Sequence, residues 1–208
     1  NKFLLEELVK RDFKKKYKRT ALGFLWSMLS PLMMLSVMSF VFGQFFGKNI
    51  EYFVVYILAG QIVFAYFSES TNAGMVALLG NASIFSKINV PKYLFVLSRN
   101  ISALINFLLT ILIFFAFVSG YGIKPSLTML FIFYPVICLI LFNYGVGLVL
   151  SALYIFFRDI QYLYSLLLQV VMYGSAIFYS IDILSEELQA VFYFNPLYRV
   201  TNSIASLW

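Results

Sequence analysis

The chain has 208 residues, of which 62% are hydrophobic and 12% are charged, with a net charge of +6, one cysteine and no histidine. Soluble domains carry about twice this share of charged residues. The absence of histidine excludes His-based metal sites, Ser-His-Asp chemistry and imidazole proton relays, and the single Cys138 excludes an intrachain disulfide.

Residues 1–20 hold eight Lys or Arg and three acidic residues, a net charge of +5. Apolar side chains recur at every fourth position, which predicts an amphipathic helix lying in the lipid headgroup region: Leu5, Val9, Phe13 and Tyr17. Asp12 argues against insertion of this helix into the membrane core. The basic block favours the anionic cytoplasmic leaflet, and it is too short and too close to lipid to indicate nucleic-acid binding.

Long stretches without a charged side chain follow, the first of them covering residues 20–47. A helix needs about 20 mostly apolar residues to cross a bilayer core of about 30 Å. The pattern predicts an all-α membrane protein with one transmembrane domain over residues 1–208. Five spans are expected within residues 22–181, at about 22–46, 52–79, 99–120, 128–152 and 161–181.

The loops predict the orientation of the spans. With the N-terminus inside, twelve basic residues lie on one side of the membrane and three on the other. The positive-inside rule therefore predicts a cytoplasmic N-terminus.

Glu69 interrupts the second predicted span and lies in a polar cluster with Ser68, Ser70, Thr71 and Asn72. An acidic residue within a span is a functional candidate. A hydrated carboxylate that pairs with the basic N-terminal segment is an equally weighted interpretation.

Two segments outside the spans have patterns of their own. In residues 80–99, Asn81 or Ser83 can cap a short helix that Pro91 ends after Val90. Residues 182–208 begin with an acidic amphipathic stretch, which the sequence NPLYR at 195–199 interrupts. This pattern predicts two short external or re-entrant helices. We expect a sixth span beyond Trp208.

The sequence shows no cluster of acidic or basic groups that could perform catalysis, so we predict a transport subunit rather than an enzyme. Tyrosines could line a path for a saccharide, because their rings suit sugar C–H faces and their hydroxyls suit sugar O–H groups. The candidates are Tyr56, Tyr66, Tyr144, Tyr154 and Tyr173. Interfacial belts and ordinary packing explain most of these residues equally well.

The chain resembles the permease subunits of ABC transporters that export polysaccharides, of the O-antigen and teichoic-acid type. The resemblance rests on KRTALGFLWSMLSP at 18–31, FSES at 67–70 with NASIFSKINVP at 81–91, FFRDI at 156–160 and FNPLY at 194–198. Members of this family have six spans, with both chain ends in the cytoplasm.

The resemblance implies a homodimer in a bacterial or archaeal inner or plasma membrane, joined by two ATPase subunits that carry Walker A motifs. ATP and magnesium would bind those subunits, and this chain would bind no cofactor. The helix at about 82–90 would be the coupling helix that docks on the ATPase, through Ser83, Ile84, Phe85, Lys87, Ile88 and Pro91. Interfacial or gating roles would fall to Lys14, Arg19, Glu69, Arg158 and Asp159, and the external re-entrant region would include Asn195, Pro196 and Arg199.

The expected function is ATP-driven export of a lipid-linked glycan such as O-antigen, teichoic acid or a capsule-like polymer. An ABC-2 permease for drugs or small lipids is the main alternative. A membrane enzyme of polyprenol-linked sugar metabolism and a passive channel subunit are two further alternatives.

Overall fold

A computed structural model describes residues 2–18, 23, 25–46, 52–87, 89–120, 122, 132–181 and 184–205. Within these ranges the regular structure is helical and contains no strand, which confirms the predicted all-α membrane fold. The helices are α1 (Lys2–Tyr17), α2 (Leu25–Phe46), α3 (Phe53–Met75), α4 (Ala82–Phe85), α5 (Tyr93–Gly120), α6 (Phe133–Phe156), α7 (Ile160–Tyr173), α8 (Glu186–Phe194) and α9 (Pro196–Ala205). A 3₁₀ turn, Leu79–Asn81, precedes α4.

Three of these helices, α3, α5 and α6, are long and apolar enough to cross a membrane, with 23, 28 and 24 residues. A rise of 1.5 Å per residue makes each of them at least about 34 Å long. They correspond to the second, third and fourth predicted spans. The first predicted span corresponds to α2, which has 22 residues and contains Pro31. The count of five spans remains a prediction.

The fifth predicted span, 161–181, is shorter in the structure, because α7 ends at Tyr173 after 14 residues. Such a helix is about 21 Å long, less than the bilayer core. Tertiary contacts hold the chain after α7 in turns: the Tyr56 hydroxyl donates to the Ala176 carbonyl at 2.6 Å, and the Asn195 amide donates to the Gly174 carbonyl at 2.9 Å. Ala176 is fully buried and has a positive φ of 48°, which a helix does not allow.

The centre of the bundle is α3, which packs against α2, α5, α6 and α9. Its residues Val55, Ile57 and Leu58 are fully buried. Other buried members of the core come from α2, α5, α6, α7 and α9, so the core forms only when helices distant in sequence assemble. Because α3 is central, most of the polar side chains described below belong to it.

Two short helices, α8 and α9, occupy the region where the sequence predicts re-entrant helices. Asn195 caps α9, since its Oδ1 accepts the backbone N–H of Leu197 at 2.9 Å. Pro196 is the first residue of α9, a position where the missing N–H of proline costs nothing. The Asn-Pro pair therefore ends α8 and starts α9.

Candidate functional site

One end of the bundle carries an apolar cluster that joins α1, the connection between α3 and α5, and the adjoining parts of α5 and α6. We call it the loop-end cluster. Its buried members are Leu8, Ala77, Leu78, Phe95 and Val96, and its half-buried members are Leu4, Ile84, Phe85, Val90, Tyr144 and Leu148. Because α1 and the loop share one apolar core, they are held together at this end of the spans.

The predicted helix at 82–90 is shorter in the structure. It is the four-residue α4, and its last backbone hydrogen bonds run from Ser86 to Ala82 and from Lys87 to Ile84. Asn89 and Val90 are not helical. Proline disfavours helical conformation in the residue before it, so Pro91 accounts for the absence of helix at Val90.

The candidate docking residues on this loop divide into two groups. Ser83, Lys87 and Pro91 are exposed. Ile84 and Phe85 are half-buried in the loop-end cluster, where the Phe85 ring centroid lies 6.0 Å from that of Phe95. The Lys92 Nζ lies 5.6 Å from the Phe85 ring centroid, within the range of a cation–π contact. Phe85 therefore anchors the loop. Ile88 lies outside the described residues.

A buried carboxylate fastens α1 to α5. The Asp12 side chain is 1% exposed, and its Oδ1 accepts hydrogen bonds from the Arg11 guanidinium at 2.7 and 3.0 Å. Its Oδ2 accepts the Ser98 hydroxyl at 3.2 Å and lies 3.3 Å from Arg99 Nε, an ion pair without hydrogen-bond geometry. The sequence indicated only that Asp12 keeps α1 out of the membrane core. In the sequence, the charge of Arg99 at the start of the third predicted span was the signal that could have identified Arg99 as the partner of Asp12.

One turn further along α1, Lys16 pairs with Glu69 of α3. The Lys16 Nζ to Glu69 Oε1 distance is 2.7 Å, and the Asn106 amide of α5 donates to the same oxygen at 2.8 Å. The Tyr17 hydroxyl in turn donates to Asn106 Oδ1 at 2.6 Å. The interpretation of Glu69 as a partner of the basic segment therefore agrees with the geometry. This polar group joins α1, α3 and α5.

Three cavities share Glu69 as a lining residue. One of about 280 Å³ lies beside α1, α2, α3 and α5, and its lining includes Trp26, Tyr66, Asn106 and Thr110. A second of about 340 Å³ lies between α1, α3 and α5, and its lining includes Asp12, Lys15 and Arg99. A third of about 390 Å³ lies between α2, α3, the end of α7 and the turns after it. Glu69 therefore lines all three of these cavities around α3.

The third cavity has both polar and apolar lining residues. Its polar members are Ser30, Gln61, Ser68, Glu69 and Asn72, and its apolar members include Phe64, Met172 and Phe178. The amide nitrogen and oxygen of Gln61 are both buried and have no hydrogen-bond partner within the described ranges. Sequence reasoning missed Gln61, although a glutamine within an apolar stretch is the signal that could have identified it.

The five candidate pore tyrosines do not come together within one chain. Tyr66 is buried, lines the 280 Å³ cavity and donates to Asn100 Oδ1 at 3.2 Å. Tyr56 holds the turn after α7 and Tyr144 belongs to the loop-end cluster. Tyr154 donates to Gln161 at 3.0 Å, and Tyr173 is exposed at the end of α7. The tyrosine hydroxyls that have described partners bond to other residues of the same bundle. The five side chains therefore stay apart instead of lining one path.

The remaining charged candidates lie near the protein surface. Arg158 and Asp159 are exposed between α6 and α7, and in the described chain they form no ion pair with each other. Lys14 is exposed on α1, and Arg19 lies outside the described residues. Nearby on α1, a hydrogen bond from Lys10 to Glu7 and the charge of that carboxylate raise the pKa of Lys10. Lys10 and Glu7 are both well exposed, so this pair adds little to stability.

The re-entrant candidates are partly engaged in contacts. Asn195 donates to the Gly174 carbonyl and lies 3.0 Å from the Ser175 hydroxyl, so it ties α9 to the end of α7. Pro196 and Arg199 line an open cavity of about 600 Å³ between α6 and α9, together with Tyr134, Phe142 and Tyr193. Over the part of the chain that the structure covers, no three His, Cys, Asp or Glu side chains group as metal ligands would.

Comparison with known proteins gives matches along almost the whole chain. A family model described as ABC-2 type transporter matches residues 4–207. The O-antigen export system permease protein RfbA of Klebsiella pneumoniae is 30% identical over 196 residues, which cover 93% of this chain and 75% of that protein. The protein of the same name from Myxococcus xanthus is 27% identical, over 88% of this chain and 71% of its own length. The polysialic acid transport protein KpsM of Escherichia coli is 23% identical, over 96% and 78%.

Proposed function

The chain belongs to the ABC-2 type transporter family, and from this premise we propose that it is the membrane subunit of an ATP-driven exporter of a lipid-linked polysaccharide. The proposal rests on the match to an O-antigen export permease over 93% of this chain. The glycan would be an O-antigen, a teichoic acid or a capsule-like polymer. The protein would lie in a bacterial or archaeal inner or plasma membrane with its N-terminus in the cytoplasm.

A separate ATPase subunit would bind ATP and magnesium and dock against the loop-end cluster. Support comes from the exposed Ser83, Lys87 and Pro91, which lie beside side chains anchored in that cluster. A displacement of this loop by the ATPase would also move α1 and α5, because both helices share the apolar core of the loop. Nucleotide can shift the spans only if the ATPase contacts this surface differently in its two states.

Two copies of the chain would pair to enclose the path of the glycan. The support is a set of large apolar side chains that α2 and α7 leave exposed: Met33, Val37, Phe40, Leu163, Leu166 and Val170. Membrane lipid or a second copy can cover such surfaces.

The test is export by the full-length protein with its own ATPase subunit, in cells that make the glycan but lack their permease. We expect glycan on the cell surface, and none when the Walker A lysine of the ATPase is replaced. The permease should also retain the ATPase during purification. Undiminished export with the inactive ATPase would refute the proposal.

A further inference from the structure

A stripe of α3 faces the 390 Å³ cavity between α2, α3 and the end of α7. Gln61, Ala65, Ser68 and Asn72 follow one another at steps of four, three and four residues, which places them on one face of the helix. All four line that cavity, as does Glu69 beside Ser68, and we call these five residues the α3 stripe. The stripe is about 17 Å long at 1.5 Å per residue.

Part of this stripe lacks the partners that a structural polar group requires. Both amide atoms of Gln61 are buried without a hydrogen bond to any described residue. Both polar contacts of Glu69 use the same atom, Oε1, so its second carboxylate oxygen has no bond within the described ranges. An unpaired amide as buried as that of Gln61 lowers stability, and within a membrane no lipid tail can satisfy it. The Glu69 side chain is 36% exposed, so its second oxygen is open to a donor without that cost. The stripe therefore fits a ligand that brings hydroxyl groups.

Apart from Ser30 of α2, the rest of the described cavity lining is apolar. Phe64, Met172 and Phe178 stand beside the stripe, and Met34 and Pro31 of α2 complete the wall. Sugars present hydroxyls at the ring edge and C–H groups on the ring face, so a polar stripe beside aromatic walls matches both. Among the described residues of the cavity lining, the one charged side chain is the acid Glu69, which disfavours a phosphate group.

We infer that the α3 stripe of Gln61, Ser68, Glu69 and Asn72 binds the sugar units of the exported glycan by their hydroxyls as the polymer passes. The inference rests on the proposed function and names the surface that meets the substrate. The phosphate-bearing lipid end of the substrate would be held elsewhere. Phospholipid and water are the rival occupants.

The first test replaces Gln61 with its apolar shape analogue, Gln61→Met. Asn143→Leu is the control, because Asn143 is a fully buried amide of α6 that lines none of the three Glu69 cavities. We expect Gln61→Met to lower the rate of glycan export about fivefold, the effect of one lost hydrogen bond, and to leave thermal stability unchanged or raised. Asn143→Leu should export at the wild-type rate.

The second test places a photoreactive benzoylphenylalanine at position 61 of the full-length protein, in cells that make the glycan. The control is the same residue at position 149, where Val149 is 60% exposed on α6. Illumination should give an adduct detected by glycan staining at position 61 and only lipid adducts at position 149. Lipid adducts alone at position 61 would overturn the inference.

The two tests separate this inference from the function on which it rests. If wild-type protein exports glycan and Gln61→Met does so at the same rate, the stripe is not the binding surface and the exporter remains. Equal loss of export in Gln61→Met and Asn143→Leu would also overturn the inference, because the effect would then come from folding. If wild-type protein drives no export, the proposed function fails and the inference fails with it.

Discussion

Gly74 and Gly147 bring α3 and α6 into backbone contact. A Cβ atom added at Gly74 would lie 3.0 Å from the Cα of Gly147, and a Cβ at Gly147 would lie 3.3 Å from a Val96 methyl group. Small residues at such a crossing allow close packing of helices in a membrane. Because one of the atoms in the way belongs to the backbone, the contact cannot be relieved by turning a side chain.

Gly74→Ala should therefore destabilise the bundle by about 1–3 kcal/mol, the usual cost of overpacking. The measurement is thermal unfolding in detergent. Gly145→Ala, on the same α6 helix, is the control, because a Cβ there meets nothing within 4 Å. Equal stability of the two variants would show that the close crossing is not a constraint.

Asp12→Ala should be destabilising, by about 1.5–3 kcal/mol, because it removes the charged hydrogen bonds that the buried carboxylate accepts from Arg11 and Ser98, while the partly exposed Arg11 and Arg99 side chains can turn to solvent. Thermal unfolding measures the loss. Glu7→Gln on the same helix breaks the exposed pair with Lys10 and should change stability by less than about 1 kcal/mol.

A double-mutant cycle with Asp12→Asn and Arg99→Gln tests whether the two side chains interact directly. Residues in one charged network show coupling energies of about 0.5–3 kcal/mol. Additive effects of the two substitutions would contradict the fastening of α1 to α5 through this pair.

Glu69→Gln should cost less than about 1 kcal/mol in stability, since the pair with Lys16 is more than a third exposed. Export should fall nevertheless, because the carboxylate lines three cavities and belongs to the proposed sugar-binding stripe. The readouts are ATPase co-purification and surface glycan. Normal export by an intact complex would remove Glu69 from the mechanism.

Lys87→Ala should leave thermal stability unchanged and weaken co-purification of the ATPase, because Lys87 is exposed on the loop. Pro91→Ala should behave in the same way. Phe85→Ala should lower stability by about 1–3 kcal/mol, since its ring packs on Phe95 within the loop-end cluster. If Lys87→Ala and Pro91→Ala both retain the ATPase and export normally, the docking surface lies elsewhere.

Asn195→Ala should destabilise the connection between α7 and α9 by about 1–2 kcal/mol, because it removes a helix cap and the bond to the Gly174 carbonyl. Asn202→Ala, at an exposed position of α9, is the control. Hydrogen exchange of the backbone around 174–181 reports the loosening directly. Unchanged exchange there would mean that Asn195 does not hold this segment.

The sequence alone predicted the elements whose pattern is local. Uncharged stretches located α3, α5 and α6, and the apolar side chains at every fourth position located α1. The Asn-Pro pair indicated the break between α8 and α9. Hydropathy and turn chemistry act over a few residues, so they can be read without knowing which helices are neighbours.

Only the tertiary structure decided which residues meet. The Asp12–Arg99 pair, the Lys16–Glu69 pair and the Gly74–Gly147 crossing each join segments more than 50 residues apart. The early end of α7 depends on Tyr56 and Asn195, and the burial of Gln61 beside a cavity depends on the placement of α2 and α7. Composition and periodicity specify which groups must leave water. The packing of the helices specifies which partner each buried polar group finds, because that choice depends on contacts between distant parts of the chain.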